Sequence, residues 1–149
     1  AEKPEYPAIV KHGHTIYFAH PVFSQYGQNA PRWVKQLVLN ALGRLLLEPL
    51  VQLDAPSTAL ATLNQQDEPA RLVLHLLHYI PERRGARFDV LEDVIPLHDT
   101  GVSVCAPGPV SAVRCVPLGD EIPFELDEGR VRFVLPRLEG YQIIELDLA

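Results

Sequence analysis

The chain changes character near residue 48, and that change limits what it can fold into. Ahead of it lies one strand-and-helix piece; after it almost every segment reads as a strand. Trp33, Val34, Leu37, Val38, Ala41, Leu42 and Leu45 recur at three- and four-residue spacing. Arg32, Lys35, Gln36, Asn40 and Arg44 fall mostly on the other side. The spacing predicts an amphipathic helix over residues 30–47, ended before Pro49. Asn29 stands as its N-cap, and Pro31 sits near the first helical position, where a missing N–H costs nothing. On this reading Trp33 belongs to the buried face. Upstream, residues 7–13 read as a short strand that turns at Gly13 into a second strand, residues 14–19. Residues 20–28 read as a loop carrying His20, Phe23 and Tyr26. Loops leaving the carboxyl ends of strands often hold ligand groups in α/β proteins, so His20 and Tyr26 are the candidate loop or ligand contacts.

After residue 48 strand signals are punctuated by turns. Residues 50–53, 58–64 and 70–80 come first, with residues 65–69 as a hairpin loop between the last two. Residues 90–96, 101–106, 112–118, 122–126, 130–135 and 141–146 follow. The run Leu72-Val73-Leu74-His75-Leu76-Leu77-His78-Tyr79 is apolar on both alternating faces, which predicts a central strand covered on two sides. Around Asp127-Glu128-Gly129 the hairpin is clearest, with Val131, Phe133 and Leu135 pointing one way and Arg130 and Arg132 the other. Strands at this spacing, with Pro- and Gly-bearing turns, predict a sandwich of two antiparallel sheets over residues 49–149. The first 48 residues pose a physical problem. One or two strands cannot cover a long apolar helix face, since even a marginal sheet needs three.

Charge and composition exclude several function classes. The chain has 149 residues, is 47% apolar and 21% charged, and carries a formal charge of −6. That balance is globular and disfavours nucleic acid, whose phosphates need clustered Lys and Arg. The basic cluster Arg83, Arg84 and Arg87 sits beside Pro81 and Gly85 and reads as a solvated loop. No run approaches the roughly 18 apolar residues of a membrane span. Cys105 and Cys115 flank a Pro-Gly-Pro turn and could face each other across a hairpin, though free thiols are the expectation for an intracellular chain. The absence of Met, with Ala first, reads as a chain that is not a complete translation product as written, either one that has lost only its initiator Met or an internal fragment.

Catalytic constellations are missing from the sequence. His75 and His78 differ by an odd number and so project to opposite faces of a strand, which leaves a core histidine and a surface one rather than a metal site. His12 and His14 lack a third ligand at zinc-like spacing. No nucleophile elbow, phosphate loop or dinucleotide turn is present. Glu92-Asp93 and Asp120-Glu121 are adjacent pairs, which on strands point to opposite faces instead of facing across a sugar. No catalytic, metal or cofactor-binding residue is assigned, and no cofactor is expected. Tyr26, Tyr79 and Phe88 are the aromatics that could serve as sugar platforms.

Three phrases carry a resemblance: KHGHTIYFAHPVFSQYGQNAPRWVKQLVLNAL, RLVLHLLHYIPERR and VPLGDEIPFELDEGRVRFVLPRLEGYQIIEL. Together they resemble the C-terminal part of bacterial glycoside hydrolases that carry a β-galactosidase-type trimerisation domain, among them β-galactosidase-like and α-L-fucosidase-like enzymes. The resemblance implies that residues 1–48 end a flavodoxin-like, glutamine-amidotransferase-like domain with its last strand, loop and helix. It implies that residues 49–149 form the C-terminal all-β sandwich. His78 stands where the family phrase has Asn. Such enzymes place both catalytic carboxylates on an N-terminal (β/α)8 barrel, so no catalytic residue carries over to this chain. The implied partners are that barrel, a carbohydrate substrate for the parent and further copies in a homo-oligomer, a trimer in the family; the implied location is cytoplasmic. The expectation is therefore a non-catalytic, structural part of a glycosidase. The alternatives are a stand-alone carbohydrate-binding sandwich and a small enzyme built on His20.

Overall fold

The computed structural model describes residues 6–149. The chain divides into two compact units, the first ending at Glu48 and the second being Pro49–Ala149.

In the first unit β1 (Ile9–His12) pairs antiparallel with β2 (Thr15–Phe18), from Ile9 opposite Phe18 to His12 opposite Thr15. Gly13 takes φ +55° in the two-residue turn between them, the positive φ that a tight hairpin needs. Two helices follow, α1 (Val22–Asn29) and α2 (Arg32–Gly43). The first corrects an expectation: residues 20–28 are mostly helix, not loop. Pro21 starts it, with the Gln25 N–H bonded to the Pro21 carbonyl at 3.0 Å. Asn29 is the last residue of α1 rather than the N-cap of α2. Ala30, at φ +44°, ends α1 by donating its N–H to the Tyr26 carbonyl at 2.7 Å. Pro31 is the N-cap of α2, and no side chain caps that end. The second helix also stops earlier than its apolar spacing suggested, at Gly43, a poor helix former.

Among the described residues of this unit only Val22 and Val34 are buried apolar side chains, at 4% and 0% exposure. Trp33 is 64% exposed, which corrects its assignment to a buried face. Tyr17, Phe23, Leu42 and Leu46 are exposed too. These groups come from β2, from both helices and from the turn after α2, and two short strands do not supply enough surface to cover them.

The second unit is a sandwich. A four-stranded sheet runs β11-β12-β8-β3, made of Phe124–Asp127, Arg130–Leu138, Leu97–Cys105 and Val51–Asp54. A five-stranded sheet runs β10-β9-β13-β5-β4, made of Asp120–Glu121, Val110–Val116, Gly140–Leu148, Ala70–His78 and Ala59–Asp67. All their pairings are antiparallel. A separate ribbon joins β6 (Glu82–Arg83) to β7 (Asp89–Val90). Alternation makes the core. Leu72, Leu74 and Leu76 of β5 and Ile144 and Leu146 of β13 meet Val102, Val104, Val131, Phe133 and Leu135 from the other sheet in one buried cluster. Each fully buried Leu or Ile contributes about 1.5–3 kcal/mol relative to exposure, so this cluster is the unit's main source of stability.

The β11–β12 hairpin is as expected, Arg130 and the alternating Val131, Phe133 and Leu135 included. Glu128 and Gly129 take φ +48° and +78°, the pair of positive values that a type I′ turn requires. Other segments differ. β4 runs on through residues expected as a loop, leaving only Glu68 and Pro69 in the turn before β5. Of residues 90–96 only Val90 is in a strand. β5 lies between β13 and β4, one place in from the edge, with Leu77 of its outer face 36% exposed. The Pro107-Gly108-Pro109 stretch is a corner between sheets, because β8 belongs to one and β9 to the other. Cys105 and Cys115 therefore do not face each other across a hairpin, and both are free thiols. The flavodoxin-like origin of the first unit does not follow from an antiparallel hairpin and two short helices.

Candidate functional site

His20 sits at the junction of β2 and α1. Its backbone carbonyl accepts the Val22 N–H at 2.8 Å. Its exposed imidazole borders a cavity of about 400 Å³ with Ile9, Phe18, Val22, Gln25 and Trp33. Among the described residues it makes no side-chain hydrogen bond. Tyr26 lies further along α1, 39% exposed, and does not border that cavity. The two candidate contacts, one just ahead of α1 and one within it, are thus close in sequence but not at one site. Sequence reasoning missed Trp33 as a neighbour of His20 at this cavity, because periodicity had assigned it to the interior.

The two strand histidines separate as strand alternation demands. His78 is 2% exposed, with Nδ1 3.3 Å from the Thr58 hydroxyl. His75 lies on the outer face of the five-stranded sheet, hydrogen-bonded to the Tyr141 hydroxyl and stacked on its ring at 6.0 Å with 16° between planes. Tyr141 is 47% and Phe88 60% exposed, but Tyr141 packs on His75 while the Phe88 ring lies against Gly85 in the ribbon region.

Charged groups elsewhere neutralise one another. Arg83 pairs with Asp89 at 2.8 Å, and Arg84 with Glu82 at 2.9 Å and with Glu92. Arg114 bridges Asp147 and Glu121 across three neighbouring strands, and those carboxylates raise its guanidinium pKa further. Both adjacent carboxylate pairs singled out in the sequence thus contribute a member to an ion pair. Burial, with the Asp120 charge second, pushes the Cys115 thiol up and so makes it a poor nucleophile. No group of three His, Cys, Asp or Glu side chains able to hold a metal exists among the described residues. No helix among them is long and apolar enough to cross a membrane.

The larger concavity was not foreseen. It is a groove of about 900 Å³ on the outer face of the four-stranded sheet. Strand register sets its lining, since directly opposed residues project to the same face. Gln52, Ser103, Arg132 and Glu125 stand opposite one another in a row across all four strands. Beside them Asp54, Gly101 and Val134 form the next row. Arg130 orders one side of this face, donating from Nε to the Ser103 hydroxyl at 2.8 Å and from a terminal nitrogen to the Pro49 carbonyl at 3.0 Å. Arg132 pairs with Asp127 at 2.7 Å. No single stretch of sequence shows this site, because its residues come from four strands up to 82 positions apart, Gln52 to Val134.

No protein-family profile and no curated protein sequence matches the chain. Solved structures do. The whole chain superposes on 23% of the α-L-fucosidase isoenzyme 2 from Paenibacillus thiaminolyticus, with TM-score 0.92 and 33% identity. A Paenibacillus sp. cycloisomaltooligosaccharide glucanotransferase matches 64% of this chain and 16% of its own, at 16% identity and TM-score 0.46, which carries no argument. The chain thus spans less than a quarter of the fucosidase it matches, and its likeness to part of a glycoside hydrolase holds along its whole length.

Proposed function

We propose that this chain is a non-catalytic, C-terminal portion of a glycoside hydrolase, giving structural and oligomerisation support to a (β/α)8 barrel that lies outside it and hydrolyses glycosidic bonds. The observation that carries the reading is the full-length superposition on part of a fucosidase. In this proposal the hairpin and helices of the first unit are the last elements of a flavodoxin-like trimerisation domain, and the β-sandwich is the C-terminal domain of a cytoplasmic bacterial enzyme that assembles as a homo-oligomer. The exposed apolar side chains of the first unit support it. Trp33, Phe23, Leu42 and Leu46 are groups that a larger α/β domain would cover.

The chain contains one tryptophan, so its fluorescence reads that face directly. Trp33 of the chain alone should be quenched freely by iodide, and the same residue in the parent enzyme should be shielded with blue-shifted emission. Equal quenching in both would remove the claim that the rest of the parent covers this face.

A further inference from the structure

We infer that the groove on the outer face of the four-stranded sheet binds a neutral saccharide chain. This goes beyond the supporting role proposed above and stands on the groove alone. Four polar side chains of different kinds cross it in one row: the Gln52 amide, the Ser103 hydroxyl, the Arg132 guanidinium and the Glu125 carboxylate. Planar amides, carboxylates and guanidinium groups engage adjacent hydroxyls two at a time, because their donors or acceptors are spaced as a fork. The Ser103 oxygen already accepts from Arg130, which leaves its proton to be donated outward. In the adjoining row, past Asp54 at its end, Gly101 contributes no side chain and Val134, 53% exposed, contributes an apolar one, so a low floor runs beside the polar row. A sugar ring has this same division, with hydroxyls at its edge and C–H groups on its face.

Other ligand classes fit less well. An apolar ligand would strip water from Gln52, Asp54, Arg132 and Glu125 and return no hydrogen bonds. An anion would meet the Asp54 and Glu125 carboxylates, while the one guanidinium in the row is engaged by Asp127 at 2.7 Å. The groove crosses four strands, three spacings of about 4.8 Å, which suits more than one sugar ring.

Gly101 gives a clean test. Its φ is not in the left-handed region, and an added Cβ would meet only the Asp54 Cβ, at an ordinary 3.4 Å. Gly101→Val should therefore fold while filling the floor. The experiment is an amide-resolved NMR titration of the full chain with a fucosylated lactose, galactotetraose and maltotetraose, each to millimolar concentration. The expected result is saturable binding of at least one, with shift changes centred on Gln52, Ser103, Glu125 and Arg132. Gly101→Val, with unchanged melting temperature, should bind that sugar about tenfold or more weakly. Gln52→Ala should weaken it without disturbing the fold. The inference is overturned if none of the three sugars shifts the groove amides, if the shifts map elsewhere, or if folded Gly101→Val binds undiminished.

Discussion

His78 and His75 show how far single residues can be read. Their odd separation on a strand dictates opposite faces, and they lie on opposite faces: one is buried, the other stacked on Tyr141. The partner of the buried one was not legible, since Thr58 comes from twenty residues away, just ahead of β4. Trp33 fails for a related reason. Helical spacing says which residues share a side, but not whether anything covers that side. Cys115 carries a prediction at this scale. Burial raises its folded-state pKa above the unfolded value, so the thiol's contribution to stability is complete below the unfolded pKa and is lost as pH rises through the folded one. The stability of the chain relative to Cys115→Ala, measured by urea unfolding, should therefore fall as pH climbs beyond about 8.5. A difference independent of pH would contradict the assigned burial effect.

At the scale of elements, the strands were more legible than their ends. Alternation located β5, β8, β9, β12 and β13, because each has one face in a continuous core. It placed a strand over residues 90–96 that the chain does not form, since apolar content there comes without cross-strand partners. It also missed α1, an eight-residue helix whose polar and aromatic residues resemble a loop. The groove was invisible for a stronger reason: it exists only once four strands are in register. Helix α2 offers a direct comparison. Val34 is fully buried and its neighbour Trp33 mostly exposed. In this chain Val34→Ala should cost about 2 kcal/mol, whereas Trp33→Ala should change stability by less than about 0.5 kcal/mol. Thermal unfolding of the two variants checks the order, and a larger loss for Trp33→Ala would mean that the indole is packed.

On the scale of the whole molecule, the chain has two units of unequal self-sufficiency. The sandwich encloses a core drawn from both sheets, while among its described residues the first unit buries two apolar side chains and exposes many more. That contrast, with the likeness to part of a fucosidase, underlies the reading of the chain as a supporting portion of a glycosidase. The carboxylate pairs legible in the sequence fit it as well, because each lends a member to an ion pair instead of a site. The most direct test is hydrolysis of chromogenic substrates by the purified chain, using nitrophenyl α-L-fucoside and nitrophenyl β-D-galactoside. The account predicts no nitrophenol release above buffer at any concentration of the chain. Turnover that rises in proportion to its concentration would contradict it.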